Sequence, residues 1–130
     1  MLLITSHSAS ARRSLRNVYR HHEETIVDRY GGAALCLPTQ LGLFLGLRLQ
    51  EKHYTDVKIQ TVSPVERTYI IPESIREAAI EFENRSHPAT PYTKFAVGTE
   101  HPSPETMRNR RLKRKPRRIS GSAGRQQRVI

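Results

Sequence analysis

The stretch TQLGLFLGLRLQEKH, residues 39–53, contains the longest apolar run of the chain. Its leucines fall at alternate positions, which is the period of a β-strand. The same letters also suit a helix that begins near Pro38 or Thr39. Because leucine prefers helices and β-branched residues are absent, we predict the helix. Gly42 and Gly46, four residues apart, would then let another backbone approach it closely.

Towards the N-terminus, the sequence predicts a short strand that follows a long helix. AALCLP, residues 33–38, is a short apolar run ending in proline and is typical of a buried strand. Residues 9–30 predict the helix, with Ser8 or Ser10 able to cap its start and Gly31-Gly32 as its stop. One face of that helix carries Leu15, Val18, Tyr19, His22, Ile26 and Tyr30.

Towards the C-terminus, the sequence predicts a β-hairpin followed by a helix. DVKIQTV (56–62) and RTYII (67–71) alternate in polarity around the turn residues SPVE (63–66), which favours two antiparallel strands. PESIREAAIEFEN (72–84) has proline in its first turn and early acidic residues, as a helix start requires. Its predicted core face is Ile75, Ala78, Ala79 and Phe82.

The order helix, short strand, helix, hairpin, helix predicts a small single α+β domain with a long, basic, non-globular C-terminal extension. We place the domain at residues 1–97, with a core that ends near Tyr92, and the extension at 98–130. The formal net charge of the chain is +10, and the two parts share it unequally. Residues 98–130 carry ten basic and two acidic side chains, whereas residues 1–97 are nearly neutral.

The C-terminal extension predicts contact with the phosphate backbone of a nucleic acid. Between residues 108 and 118, eight of eleven residues are Lys or Arg and none is acidic. Arginine predominates, and its guanidinium binds phosphate through two parallel hydrogen bonds. No Tyr, Phe or Trp lies in the run, so base stacking is not its mode. The predicted RNA contacts are Arg108, Arg110, Arg111, Lys113, Arg114, Lys115, Arg117, Arg118, Arg125 and Arg128.

The first 22 residues are rich in Arg and Ser and contain no acidic residue, which is the composition of a mitochondrial or plastid targeting segment. An ordinary basic first helix has the same composition. Arg12, Arg13 and Arg16 form a second candidate RNA patch, placed at the positive end of the helix dipole, where a bound anion would stabilise them.

No catalytic, metal or cofactor signature is present in the sequence, so we expect no enzyme activity, no cofactor and no small-molecule substrate. Cys36 is the only possible thiol nucleophile, with His22 or His53 as activating base, but its apolar surroundings favour simple packing. The six histidines lack a metal-ligand spacing. The apolar run at 41–49 is far shorter than the ~20 residues of a membrane span.

Together these features predict a structural ribosomal protein, with rRNA and neighbouring ribosomal proteins as partners. The acid-free N-terminal segment points to the mitochondrial ribosome, in the matrix. Two alternatives of other classes stay open: a nuclear protein associated with DNA or chromatin, and a small thiol-dependent enzyme that uses Cys36. A subunit of another mitochondrial complex would share the targeting segment but would not need the basic C-terminal extension.

Overall fold

A four-stranded antiparallel sheet forms one layer of the protein in the computed structural model, which describes residues 1–61 and 69–114. The strand order is β2-β3-β1-β4, so the first strand of the chain is a central one. The strands are β1 (Leu2–Ser6), β2 (Ile26–Tyr30), β3 (Ala33–Cys36) and β4 (Val57–Thr61).

Helices cover one face of this sheet. Short 3-10 turns at Glu23–Thr25 and Tyr54–Asp56 precede β2 and β4. The helices are α1 (Ala9–His21), α2 (Gln40–His53), α3 (Glu73–Glu83), α4 (Tyr92–Ala96) and α5 (Pro104–Arg108). The predicted α+β class is confirmed.

The stretch 39–53 forms α2, the helix at the centre of the core. Thr39 caps it, because its hydroxyl accepts a hydrogen bond from the Gly42 N–H at 3.1 Å. Almost every residue from Leu41 to Leu49 is buried, since the sheet lies on one side of α2 while α3 and α5 pack against it elsewhere. A helix that is apolar all round belongs in an interior. The alternating leucines therefore reflect burial on every side rather than a strand.

The long helix predicted at residues 9–30 is correct only in its first part. α1 ends at His21, and the chain continues through a 3-10 turn into β2. The sequence holds the reason: Thr25, Ile26 and Val27 are three β-branched residues in a row, which disfavour a helix. Pairing with β3 then supplies the backbone partners that a helix would have provided.

The predicted hairpin is only partly correct. β4 lies where expected, but its partner is β1, a strand that the sequence analysis missed. The described part of the second predicted arm pairs elsewhere: Tyr69 forms a bridge with Arg114, and the Ile70 N–H donates to the Lys113 carbonyl at 2.7 Å. The turn between the arms lies outside the described residues.

The core extends well beyond the residue at which the sequence placed its end. Met107 in α5 is fully buried, and Leu112 is 8% exposed. The expectation that the core ends near Tyr92 is therefore wrong. These two apolar residues stand alone among polar and basic neighbours, so no periodicity marked them. The extension beyond residue 114 lies outside the described residues.

Candidate nucleic-acid interface

α1 presents a row of arginines on its outer surface. Its buried residues are Ala11, Leu15 and Val18, and Ser8 caps its start by accepting a hydrogen bond from the Ala11 N–H at 3.0 Å. The arginines lie on the remaining faces and are exposed; they are Arg12, Arg13, Arg16 and Arg20. Within the part of the chain that the structure describes, none of them forms an ion pair.

The predicted basic run begins as an extended segment bound to the domain surface. We call residues 108–114 the basic segment. Its Arg110 carbonyl accepts from the Gln40 N–H at 2.8 Å, and its Leu112 N–H donates to the Pro38 carbonyl at 2.7 Å. The first bond satisfies a free N–H at the start of α2. The Leu112 side chain is buried, while its charged neighbours are exposed at Arg110, Arg111, Lys113 and Arg114.

The far end of the basic segment meets the start of β1. The Arg114 guanidinium lies 5.5 Å from the centre of the Tyr69 ring and donates to its hydroxyl at 3.5 Å. The Met1 ammonium donates to the same hydroxyl at 3.0 Å. Burial, followed by the charges of Arg114 and Arg111, lowers the pKa of the Met1 amino group. Cationic groups therefore crowd this corner of the molecule.

The C-terminal end of α1 and the basic segment approach each other at one end of the sheet. Leu2 and Ile26 both pair with Cys36, so β1 and β2 begin where β3 ends. α1 finishes just before β2 and therefore brings Arg20 to this end. Arg108 is tied to it by an ion pair with Glu24 at 3.3 Å. We call this end of the sheet, together with the basic segment, the basic end.

A groove of about 540 Å³ lies beside the basic end, between α1, α2, the chain before α4 and the start of α5. Its apolar wall contains Phe44, Phe82 and Tyr92, whose ring centres lie 4.4 to 6.3 Å apart. Two guanidiniums lie over the Phe82 ring, Arg48 at 4.6 Å and Arg85 at 3.8 Å from its centre. No sequence pattern indicated that these residues meet, because they come from separate segments of the chain.

The polar wall of the groove is mostly satisfied. Arg48 Nε donates to Glu83 Oε2 at 2.8 Å, and a ring nitrogen of His53 is hydrogen bonded to Ser14 Oγ at 2.8 Å. His22 Nδ1 and Arg85 Nε are buried and have no hydrogen-bond partner among the described residues.

Burial is the main cause that lowers the pKa of His22, with Glu24 opposing and the charges of Arg48, His21 and Arg108 assisting. His22 is therefore neutral near pH 7. It offers the groove an uncharged ring rather than another cation.

The candidate thiol is enclosed in the sheet. Cys36 has no exposed surface, and burial raises the pKa of its thiol to about 11. His53, one of its two predicted activating bases, is hydrogen bonded to Ser14 instead. A thiol that stays protonated at neutral pH is a poor nucleophile, so the environment favours packing.

Of the predicted RNA contacts, Arg12, Arg13, Arg16, Arg110, Arg111, Lys113 and Arg114 are exposed. Arg108 is partly neutralised by Glu24. Five further predicted contacts lie outside the described residues: Lys115, Arg117, Arg118, Arg125 and Arg128.

Comparison with known families divides the chain at the gap between β4 and α3. Residues 1–64 match the family described as DUF7855 N-terminal dimerisation domain. Residues 69–112 match the C-terminal domain of the same family, which is described as of unknown function. The chain belongs to the DUF7855 family. No curated protein and no solved structure matches it.

The two DUF7855 matches correspond to two parts of the fold. The N-terminal part contains the whole sheet with α1 and α2, and its description implies a protein partner. The C-terminal part contributes α3, α4, α5 and most of the basic segment, and covers the side of α2 that faces away from the sheet. Among the described residues, no helix is long and apolar enough to cross a membrane.

Proposed function

We propose that this DUF7855 protein binds the phosphate backbone of RNA as a structural component of a ribonucleoprotein particle. The observation that carries the proposal is the presence of two arginine-rich surfaces, distant in sequence, with the last arginine of the first, Arg20, brought to the basic end. One is the outer face of α1 and the other is the basic segment. Neither contains an acidic side chain.

The geometry favours backbone contact over base recognition. Arg12, Arg16 and Arg20 follow one another at four-residue steps, each of which advances ~6 Å along a helix. The basic segment adds an extended run from residue 110 to residue 114, which covers ~13 Å at strand-like spacing. We call the exposed arginines of α1 and the basic segment together the cationic track, whose charges suit a chain of phosphates. The aromatic ring that lies beneath Arg114 belongs to Tyr69, which is 8% exposed and therefore offers no free stacking surface.

The particle suggested by the sequence is the mitochondrial ribosome, with rRNA and neighbouring ribosomal proteins as partners. This part of the proposal depends on the acid-free N-terminal segment. Residues 1–22 build β1 and α1, so their basic composition also serves the fold and the phosphate track. If residues 1–22 act as a targeting segment, they must not be cleaved off, because their removal would take the central strand β1 from the sheet.

The test is the salt dependence of RNA binding by the full chain, measured by fluorescence anisotropy with a labelled 20-nucleotide single strand. About six phosphate contacts at ~0.7 counterions each predict a log–log slope of roughly −4. Arg16→Gln and Arg111→Gln should each make the slope less negative by up to about one unit. Lys94→Gln, which removes an exposed cation from α4, is the matched control and should leave it unchanged.

Two results would reject the proposal: binding that does not respond to salt, or a slope that the three variants leave equally unchanged. Equal affinity for duplex DNA, with accumulation of the full-length protein in nuclei, would favour the chromatin alternative instead. Ribonuclease-sensitive sedimentation with ribosomal particles from a mitochondrial lysate would support the specific particle.

A further inference from the structure

The N-terminal part of the fold has four surfaces that the rest of the described chain leaves open. α2 is enclosed between the sheet and the C-terminal part, so it offers none. What remains is the outer face of α1, the edges of β2 and β4, and the face of the sheet opposite the helices. A dimer of the kind that the family description names must use at least one of these surfaces.

The sheet face opposite the helices, which we call the open face, is apolar at its centre. Because directly paired residues of antiparallel strands point to the same side, the registers fix its composition. Leu3 of β1 pairs with Leu35 of β3, and both side chains are partly exposed. Beside them, Ala33 pairs with Thr5 and with Tyr30, whose side chain is 52% exposed.

Opposite charges occupy diagonal corners of the open face. Asp28 on the β2 edge pairs with Leu35, and Lys58 on the β4 edge pairs with Thr5. Both side chains are exposed. Asp28 Oδ1 accepts a hydrogen bond from the Arg29 N–H at 2.8 Å. A two-fold axis can lie parallel to the open face and perpendicular to the line from Asp28 to Lys58, at its midpoint. Rotation about this axis places the Asp28 of each copy over the Lys58 of the other.

Such self-complementarity is what a two-fold interface requires, because each patch must meet its own copy. We propose that two copies of this chain dimerise face to face through the open face. Leu3 and Leu35 lie at the centre of the interface, and two Asp28–Lys58 pairs lie at its corners. This inference does not depend on RNA binding, since the helices lie on the other face of the sheet.

The other three surfaces fit a second copy less well. Four arginines on α1 would face four more across a two-fold axis, and like charges repel. The β2 edge is interrupted by a register shift between Ile26 and Asp28, which is a bulge at Val27. The β4 edge carries the exposed Lys58. Bulges and charged residues on an edge strand are features that prevent pairing with another sheet.

The interface is small. Four strands of about five residues span ~14 by 14 Å between Cα atoms at standard spacings. That is below the usual area of specific interfaces, so we expect a weak dimer that dissociates in the micromolar range or above. At such an affinity, both an increase and a decrease in the dimer dissociation constant are measurable.

Charge reversal tests the interface without altering the core. In sedimentation equilibrium of the full chain at low salt, Asp28→Lys and Lys58→Asp should each weaken dimerisation at least ~10-fold, because each places like charges together. The double variant Asp28→Lys/Lys58→Asp should return to within ~3-fold of the original value, which is the signature of direct coupling. Lys94→Glu, a charge reversal of the same size on α4, should change nothing.

Three outcomes would overturn the inference: a monomer at all concentrations, a dimer unaffected by Lys58→Asp, or no rescue in the double variant. A dimer that resists Lys58→Asp but is lost with Val27→Pro would assign the contact to the β2 edge instead. Thermal melting monitored by circular dichroism verifies that each variant is folded. RNA binding by the monomeric variants then separates this inference from the proposed function.

Discussion

At the scale of single residues, two apolar side chains decide where the folded domain ends. Met107 is fully buried and Leu112 is 8% exposed, although both lie in sequence dominated by charge. We expect Met107→Ala to lower the free energy of unfolding by about 2–5 kcal/mol, as for other large-to-small core changes. Urea denaturation measures this.

Lys113→Ala, the exposed neighbour of Leu112, is the matched control for that change. It should shift stability by no more than about 0.5 kcal/mol. Equal stability of the two variants would mean that α5 and the basic segment do not belong to the cooperative unit.

Alkaline pH should destabilise the protein through two buried acids. Burial raises the pKa of Cys36 from 9.0 to about 11 and that of Tyr92 from 10.0 to about 12. The unfolded chain therefore loses these protons first. Stability from Cys36 is complete below pH 9 and is lost towards pH 11, at up to ~1.4 kcal/mol per pH unit.

Cys36→Ala separates the two contributions. The variant should cost about 1–2 kcal/mol at pH 7 as a small core truncation. Its decline should begin one pH unit later, near pH 10, where Tyr92 begins to titrate. Urea midpoints at pH 7, 9, 10 and 11 provide the curve, and an unchanged onset near pH 9 would contradict the assignment to Cys36. A folded variant that had lost its biological role would revive the thiol-enzyme alternative.

At the scale of elements, the glycines of α2 show how closely its neighbours approach. A Cβ at Gly42 would lie 2.5 Å from the Leu37 carbonyl oxygen, which is backbone and cannot easily move. A Cβ at Gly46 would lie 2.8 Å from Cδ1 of Ile59, the mobile end of a side chain. The close backbone contact expected of both glycines therefore exists at Gly42.

Gly42→Ala and Gly46→Ala should have different effects on the free energy of unfolding. Gly42→Ala should destabilise by about 1–3 kcal/mol, because overpacking outweighs the gain in helix propensity. Gly46→Ala should be nearly neutral, since Ala is favoured by ~1 kcal/mol in a helix and Ile59 can adjust. Thermal melts of both variants under identical conditions make the comparison, and a less stable Gly46→Ala would contradict it.

Elements were predictable where local pattern and tertiary structure agree. α2, α3, β3 and β4 each lie close to their expected positions because their apolar spacing matches their burial. β1 was missed because it is only five residues long and its composition resembled a targeting segment. β2 was predicted as helix because Ile26 and Tyr30 continue the spacing of α1 by coincidence. Pairing across the sheet, which no local window contains, decided both.

At the scale of the whole molecule, two truncations should give different results. Removal of residues 115–130 leaves Met107, Leu112 and their contacts in place, so the domain should melt within a few degrees of the full chain. Removal of residues 106–130 takes away both buried side chains and should leave an unfolded or strongly destabilised domain. Circular dichroism melts distinguish the two.

RNA affinity of the shorter deletion then divides the cationic track. Loss of residues 115–130 removes five of the predicted contacts and should reduce the salt slope, while α1 and the basic segment keep part of the affinity. Full affinity without these residues would assign RNA binding to the domain alone.

The candidate interface was predictable only in part. Charge composition is visible in the sequence, so α1 and the basic segment were found from Arg12, Arg13, Arg16 and the run after residue 107. Their meeting at the basic end depends on the sheet register, and the groove depends on the packing of four segments. The open face required knowledge that β1 lies between β3 and β4. Such long-range pairings leave no local trace.

The central position of β1 also bears on how the chain folds as it is synthesised. β1 leaves the ribosome before its two partners, which follow only at residues 33–36 and 57–61. The backbone N–H and C=O groups of β1 therefore remain unpaired at first, whereas α1 can already form from local contacts. The nascent chain should pass through a stage in which an apolar, unpaired strand is a target for chaperones. Only when Met107 and Leu112 emerge can the domain close.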